Sequence, residues 1–213
     1  MTTTTPKTRR RTRSDGDRTH AAILDEATRL ASIEGVHGLT IGRLAEALGV
    51  SKSGLYAHFG SKEQLQRETV EAAVAIFERE VMSHVVAAPE GLRRLEAFAE
   101  AYFSYLERWV FPGGCFFASL LAEVDARSGP MHDYYVAFER LWMEGFVELA
   151  RGARRLGEIG RGVDVEQLAF ELYACFELAN YHFVLFRDER VLERGRKAVR
   201  GILGRAASTR RTP

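Results

Sequence analysis

The stretch that decides the fold runs Thr40-Ile41-Gly42-Arg43-Leu44-Ala45-Glu46-Ala47-Leu48-Gly49-Val50-Ser51-Lys52-Ser53-Gly54-Leu55-Tyr56-Ala57-His58-Phe59. Two short apolar patterns flank a glycine. Thr40 stands where an N-cap belongs, and Ile41, Leu44, Ala45 and Leu48 form one face of the first helix. Gly49 supplies the backbone freedom of a tight turn, where a β-carbon would be penalised. Ser51 caps the second helix. Leu44, Leu48, Val50, Leu55 and Phe59 are the expected shared core, and Ala45 is small enough to let the helices approach. This is a helix-turn-helix, which lays its second helix in the DNA major groove with the leading residues at base edges. The outward residues of that helix are Lys52, Ser53, Gly54, Tyr56, Ala57 and His58. Lys52 and Ser53 can donate to acceptors such as guanine O6 and N7. Gly54 lets the backbone come close, and Tyr56 and His58 suit phosphate contact. Lys62 follows in the first turn of the next helix, where the helix N-terminus also favours an anion.

Charge is distributed unevenly around this motif. The 213 residues carry a net charge of only +1. Residues 1–60 hold 9 Lys/Arg against 6 Asp/Glu, residues 61–188 hold 13 against 21, and residues 189–213 hold 8 against 2. A positive head on an acidic body suggests that one end meets a polyanion. The densest cations are Lys7, Arg9, Arg10, Arg11 and Arg13, expected to form a disordered arm over 1–17. By analogy with homeodomain arms, Arg9, Arg10, Arg11 or Arg13 could enter an adjacent minor groove.

Composition sets further bounds. At 46% hydrophobic and 28% charged, the chain can bury a core and is not of disordered composition. Two cysteines make neither a disulfide framework nor a four-ligand zinc site, and they suit a reducing cytoplasm. The N-terminus lacks an apolar signal core. The most apolar stretch, Ala169 to Phe186, carries Glu171, Glu177, Asn180 and His182, so it reads as buried in protein rather than as a membrane span. No Gly-rich phosphate loop, metal-ligand spacing or nucleophile elbow is present, so no enzyme, cofactor or metal is expected.

The pattern along the chain predicts an all-α protein of about nine helices. The first begins near Thr19, with Ile23, Ala27, Leu30 and Ala31 on one face, and stops at Gly35. After the helix-turn-helix, Ser61 and Gln64 form a capping box for a helix reaching about Ala87. Later helices are expected over about 91–110, 115–127, 131–156, 165–186 and 189–205, separated by Gly/Pro punctuation. The expected division is an arm (1–17), a DNA-binding domain (18–65), a helical body (66–206) and a disordered tail (207–213).

Residues 19–65 resemble the DNA-binding domain of the tetracycline-repressor (TetR) family of bacterial transcriptional regulators. The matching elements are Ile23-Leu24 and Ala27, Glu34-Gly35, Thr40-Ile41, Leu44-Ala45, Gly49-Val50-Ser51, Leu55-Tyr56, His58-Phe59, Lys62-Glu63 and Leu65. The resemblance implies that Lys52, Ser53 and Gly54 face bases, while Thr40, Ser51, Tyr56, His58 and Lys62 face the phosphate backbone of a double-stranded operator. Ala57 departs from the larger side chain common at its position.

The resemblance also implies a body that binds a small effector and forms a homodimer. Aromatic residues offer candidate ligand contacts: Phe103, Trp109, Phe117, Trp142, Phe146, Tyr173 and Phe176. Pro112-Gly113-Gly114-Cys115 could shape the mouth of such a pocket, whose lining suggests a hydrophobic or aromatic ligand. The helix over 165–186 is apolar nearly all round, so one side can face a second subunit. Candidate interface residues are Leu178, Tyr181, Val184, Leu185, Val199 and Ile202. The leading expectation is a ligand-responsive repressor; a corepressor-dependent regulator and an effector-free architectural DNA binder remain as alternatives.

Overall fold

The computed structural model describes residues 13–124 and 129–207. The fold is all-α. Its elements are α1 (Arg13–Glu34), α2 (Ile41–Leu48), α3 (Lys52–Phe59), α4 (Lys62–Phe77), a π-helical turn (Glu78–Met82), α5 (Ser83–Ala87), α6 (Leu92–Glu107), α7 (Phe116–Val124), α8 (Pro130–Arg155), α9 (Val165–Phe186) and α10 (Arg190–Ala206). α4, the π turn and α5 run on as one helical rod, which makes nine helical units among the described residues.

α1 starts at Arg13, earlier than the pattern from Thr19, so residues 13–17 of the expected arm are helical. Arg9, Arg10 and Arg11 lie outside the described residues. Ala207, expected in the tail, instead pairs with Ile159 in an isolated antiparallel bridge.

The small N-terminal unit is α1 to α3 with the start of α4. Ile23, Ala27, Leu30 and Ala31 of α1 bury one stripe against Leu44, Ala45, Leu55, Phe59 and Leu65. Thr40 and Ser51 cap α2 and α3, their hydroxyls accepting from Arg43 N and Gly54 N. Gly49 closes α2 in the left-handed region at φ 65°. Val50, expected in the core, is 50% exposed: after Gly49 the chain turns outward before α3 begins. Arg43 makes a forked ion pair with Glu34, at 3.0 Å from Nε and 2.6 Å from Nη2, which fastens α2 to the end of α1.

α4 carries the chain into the body, where α6, α8, α9 and α10 surround an aromatic core. Phe77, Phe98, Tyr102, Trp142, Phe146 and Phe176 form a continuous cluster with several edge-to-face pairs, such as Phe98–Phe146 with centroids at 4.8 Å and Phe77–Trp142 at 5.2 Å. The N-terminus of α6 is capped across the chain, the Glu158 carboxylate accepting from Leu92 N at 2.7 Å. Arg196 braces α10 to α6, reaching Glu100 at 3.2 Å and Glu107 at 2.9 Å.

The two units meet at α1, α7 and the loop over 108–115. Gly113 lies so close to α1 that a β-carbon there would sit 1.7 Å from the Ser32 carbonyl oxygen. Gly113 N also donates to the Ser32 hydroxyl at 3.3 Å. The Glu123 carboxylate, on α7, accepts from Val36 N at 2.8 Å and His37 N at 2.9 Å, just past the end of α1. The loop is held from the other side by Asn180 of α9, whose side-chain oxygen accepts from Cys115 N at 2.8 Å.

Gly113→Ala therefore forces the loop off α1 and should cost more than ~2 kcal/mol. Gly49→Ala, with open space around it but a left-handed backbone, should cost about 1 kcal/mol. Denaturant unfolding of both variants checks the order; equal costs would show that the loop yields freely.

Candidate nucleic-acid interface and effector cavity

α3 presents the expected face. Ser51, Lys52, Ser53, Gly54, Tyr56 and Ala57 are exposed, and Tyr56 is 58% exposed despite its large apolar ring. Leu55 and Phe59 turn inward and fix the helix on the domain core. The stem of Lys52 lies along Gly42 of α2, where an added β-carbon would stand 3.3 Å from Lys52 Cε. Gly42 thus makes room for a long cation at the leading end of α3, a role visible only once the two helices are placed together.

Around α3 the flanking residues take varied positions. Thr40 is exposed, and because its oxygen accepts the capping N–H, its own O–H can still donate outward. Lys62 is exposed, but its ammonium donates to the His37 carbonyl at 3.0 Å, so the cation is tethered over the α1–α2 turn. His58 is half-buried, with its ring 5.8 Å from that of His20 on α1. His20 in turn hydrogen-bonds the Glu68 carboxylate at 2.7 Å. Arg13 belongs to α1.

The body contains a cavity lined by Phe77, Phe98, Tyr102, Cys115, Phe117, Phe138, Glu139, Trp142, Phe146, Tyr173, Phe176 and Glu177. Its free space is about 20 Å³, room for one water, so the rings are closed on one another. Of the aromatic candidates, Phe117, Trp142, Phe146, Tyr173 and Phe176 line it. Two candidates do not. Phe103 is fully buried, packed against Phe176 with the Arg196 guanidinium 5.3 Å above its ring. Trp109 stacks on Phe183 at 4.5 Å, under the Arg187 guanidinium at 4.3 Å. Trp109 and Arg187 are the non-glycine residues with positive φ among those described, and they cover one another at the start of the loop and the end of α9.

Phe77, Phe98, Phe138, Glu139 and Glu177 enter the cavity without having been singled out as ligand contacts, and Cys115, of the expected pocket mouth, lines it with Tyr102. The readable signal was Glu177, a carboxylate inside the most apolar helix. Burial, and then the neighbouring charge of Glu139, pushes the Glu177 carboxyl from 4.5 up to about 7. Burial likewise raises the Cys115 thiol to about 11, with Glu177 adding to the effect. Cys115 is therefore a protonated core residue at neutral pH, and no thiolate chemistry is expected of it.

On α9 the expected interface residues divide. Leu178, Tyr181 and Leu185 are exposed, and Phe170 and Phe186 join them; Val184 is half-buried. Val199 and Ile202 are corrections: at 2% and 7% exposed they face the chain's own core, because α10 lays its apolar stripe on α9 and α6.

Two family models match this chain. Residues 23–69 match "Bacterial regulatory proteins, tetR family", and residues 91–199 match "Tetracyclin repressor-like, C-terminal domain". The chain belongs to the TetR family and is a DNA-binding transcriptional regulator. The HTH-type transcriptional regulator AcrR of Shigella flexneri is 39% identical over 59 residues, which is 28% of this chain and 27% of that protein. The match thus spans about a quarter of that relative's length. In fold the chain is similar to a TetR transcriptional regulator from Chloroflexus aurantiacus, at a TM-score of 0.82 and 24% identity over 91% of this chain and 98% of that one. It is also similar to AibR, solved in complex with isovaleryl coenzyme A and operator DNA, at a TM-score of 0.63 and 24% identity over 87% and 96% of the chains. No described helix is long and apolar enough to cross a membrane.

Two outcomes are expected. Lys52→Ala should lower affinity for a selected operator by about 10- to 100-fold, the worth of one good base contact, and nonspecific affinity far less. Tyr56→Ala should lower both by similar factors; competition binding at fixed salt measures each. The raised Glu177 carboxyl also couples folding to pH. The folded chain retains a proton that the unfolded chain has released, so the stability from this group is full below 4.5 and is lost as pH rises through about 7. Glu177→Gln should flatten the decline in melting temperature between about pH 5 and pH 8.

Proposed function

We propose that the chain acts as a homodimeric repressor that leaves a palindromic operator when a small molecule fills the aromatic cavity. The observation that carries this reading is the continuous path between cavity and DNA-binding unit. Cys115 lines the cavity. Its amide is held by Asn180, and the same loop presses Gly113 against Ser32 of α1. On the far side, Glu123 holds the two amides that follow α1. A ligand that parts the rings of α6, α8 and α9 moves the loop, and α1 has no slack at Gly113 with which to ignore it. Two conformations with different ligand affinities are enough to shift the equilibrium.

The dimer reading rests on α9. Phe170, Ala174, Leu178, Tyr181 and Leu185 are exposed and fall along one stripe of the helix, opposite the buried Leu168, Leu172, Phe176 and Phe183. A stripe of large apolar side chains on an otherwise charged surface marks a protein-binding face. A second copy laid on it by a twofold axis buries the stripe against itself. That pairing also gives two α3 helices the means to address half-sites roughly 34–36 Å apart. Gly54, Ser53 and Lys52 would then meet bases, and Thr40, Ser51, Tyr56, His58 and Lys62 phosphates.

Selection of bound duplexes from a random-sequence library at near-physiological salt tests the reading. The expected result is an inverted repeat with half-sites about one helical turn apart. Enrichment of no sequence, with binding lost steeply as salt rises, would contradict it and leave only electrostatic attraction. Leu178→Glu should shift the sedimenting species from dimer to monomer, and an unchanged dimer would refute the α9 interface.

A further inference from the structure

The cavity holds two carboxylates and no counter-charge. Glu139 projects from α8 and Glu177 from α9, and the remaining lining residues are aromatic apart from Cys115, with no lysine, arginine or histidine among them. Tyr173, one turn before Glu177, lies beside both carboxylates in the cavity wall. Tyr135, on α8, is also beside Glu139, but its hydroxyl is committed to the Phe117 carbonyl at 2.7 Å. The buried Glu177 carboxyl loses hydration and faces the charge of Glu139, and both effects disfavour the closed, empty state. Ordinary core packing gives no reason for them, since an apolar pair of the same shape would pack these helices without that cost.

A second feature points into the same space. The Tyr102 hydroxyl is buried, lines the cavity, and beyond the neighbouring Cys115 thiol has no hydrogen-bond partner. A buried hydroxyl left unpaired is costly unless something else supplies its partner. Around these three polar groups the rings stand as walls. Trp142 and Phe146 are perpendicular at 5.6 Å, and Phe98 is edge-on to Phe146 at 4.8 Å. Ring faces attract a cation through their quadrupole, most strongly when the site excludes water.

We infer that the effector cavity is built for an organic cation, a protonated amine on an aromatic or alkyl body, with Glu139 and Glu177 as its counter-charge and Tyr102 as a hydrogen-bonding partner. This deepens the effector reading above and rests on it for the site's biological role. The ammonium sits between the two carboxylates and donates to them and to the Tyr102 oxygen. Its apolar body lies among Phe98, Trp142, Phe146 and Phe176. Entry requires the half-buried side chains Phe138, Trp142 and Tyr173 to swing aside, since the empty space is that of a single water. The groups that face the acids are Tyr135 on α8, Tyr173 on α9, Tyr102 on α6 and Cys115 before α7. All four are held protonated by burial, so Glu177 is the group of this set that changes charge near neutral pH.

An isosteric charge series tests the assignment on the full chain without DNA. Calorimetric titration uses phenethylammonium, 2-phenylethanol and phenylacetate, which share a phenyl body and differ in charge. The expected order is cation, then neutral, then anion, with the cation at least tenfold tighter than the alcohol. Cation affinity should fall as pH drops from 8 to 6, because proton and ligand compete for Glu177. The double variant Glu139→Gln, Glu177→Gln should lose the preference for the cation, keep the alcohol, and melt no lower than the parent. Equal affinities, a reversed order, a preference that survives the double variant, or no binding of the cation at 10 mM would each overturn the inference. Cation binding that leaves operator affinity unchanged would uphold the cavity chemistry and instead defeat the repressor-release reading.

Discussion

The contact on which the structure turns is the seat of Gly113 on Ser32. A loop that approaches a helix backbone this closely can do so only without a side chain, and it cannot shift without moving the helix or losing the contact. Everything that defines the loop's position belongs to the body. Asn180 holds Cys115, and Val184 and Asn180 crowd Gly114. Stacked Trp109 and Arg187 fix the loop's beginning beside the end of α9. The DNA-binding unit is thus seated on the body through this loop, through Glu123 of α7 and through the α4 rod, which carries Phe77 into the cavity wall.

Electrostatics divides the molecule in the same way. The body is acidic, and it places two of its acids, Glu139 and Glu177, against the aromatic cavity. They face a space too small for anything but water, beside a tyrosine hydroxyl with no partner beyond the Cys115 thiol. Sites that oppose their own stability in this manner are typically those where another molecule completes the interactions. On the DNA side the cations are instead positioned by neutral backbone. Lys52 lies over Gly42, and Lys62 is held by the His37 carbonyl, so each charge is placed without being cancelled. Arg43 is the contrast, since its fork is filled by Glu34 and it serves as a brace.

The helices were legible because their apolar periodicity, caps and glycine stops agree at every level. Thr40, Gly49, Ser51 and Ser61 all stand where the sequence pattern puts them, and α9 keeps the bounds read from its composition. Val50 misled because an apolar residue in a turn can face either way. Val199 and Ile202 misled because an amphipathic stripe announces burial but not whether the burying surface is the chain's own. The cavity was legible only in part. Aromatic abundance singled out Phe117, Trp142, Phe146, Tyr173 and Phe176, yet it could not separate them from Phe103, which is core, or from Trp109, which is loop anchor. The acids went unrecognised as ligand contacts because Glu139 and Glu177 are 38 residues apart in sequence and meet only where α8 and α9 cross.

If the cavity and α3 share one equilibrium, the coupling is reciprocal, and DNA must be felt at the loop as the ligand is felt at the DNA. Amide hydrogen exchange on the full chain, with and without a selected operator duplex, tests this without any effector in hand. The account predicts that the amides of Gly113 and Cys115 change exchange rate on DNA binding together with those of Val36 and His37. Changes confined to α2, α3 and the start of α4, with the loop amides untouched, would contradict it.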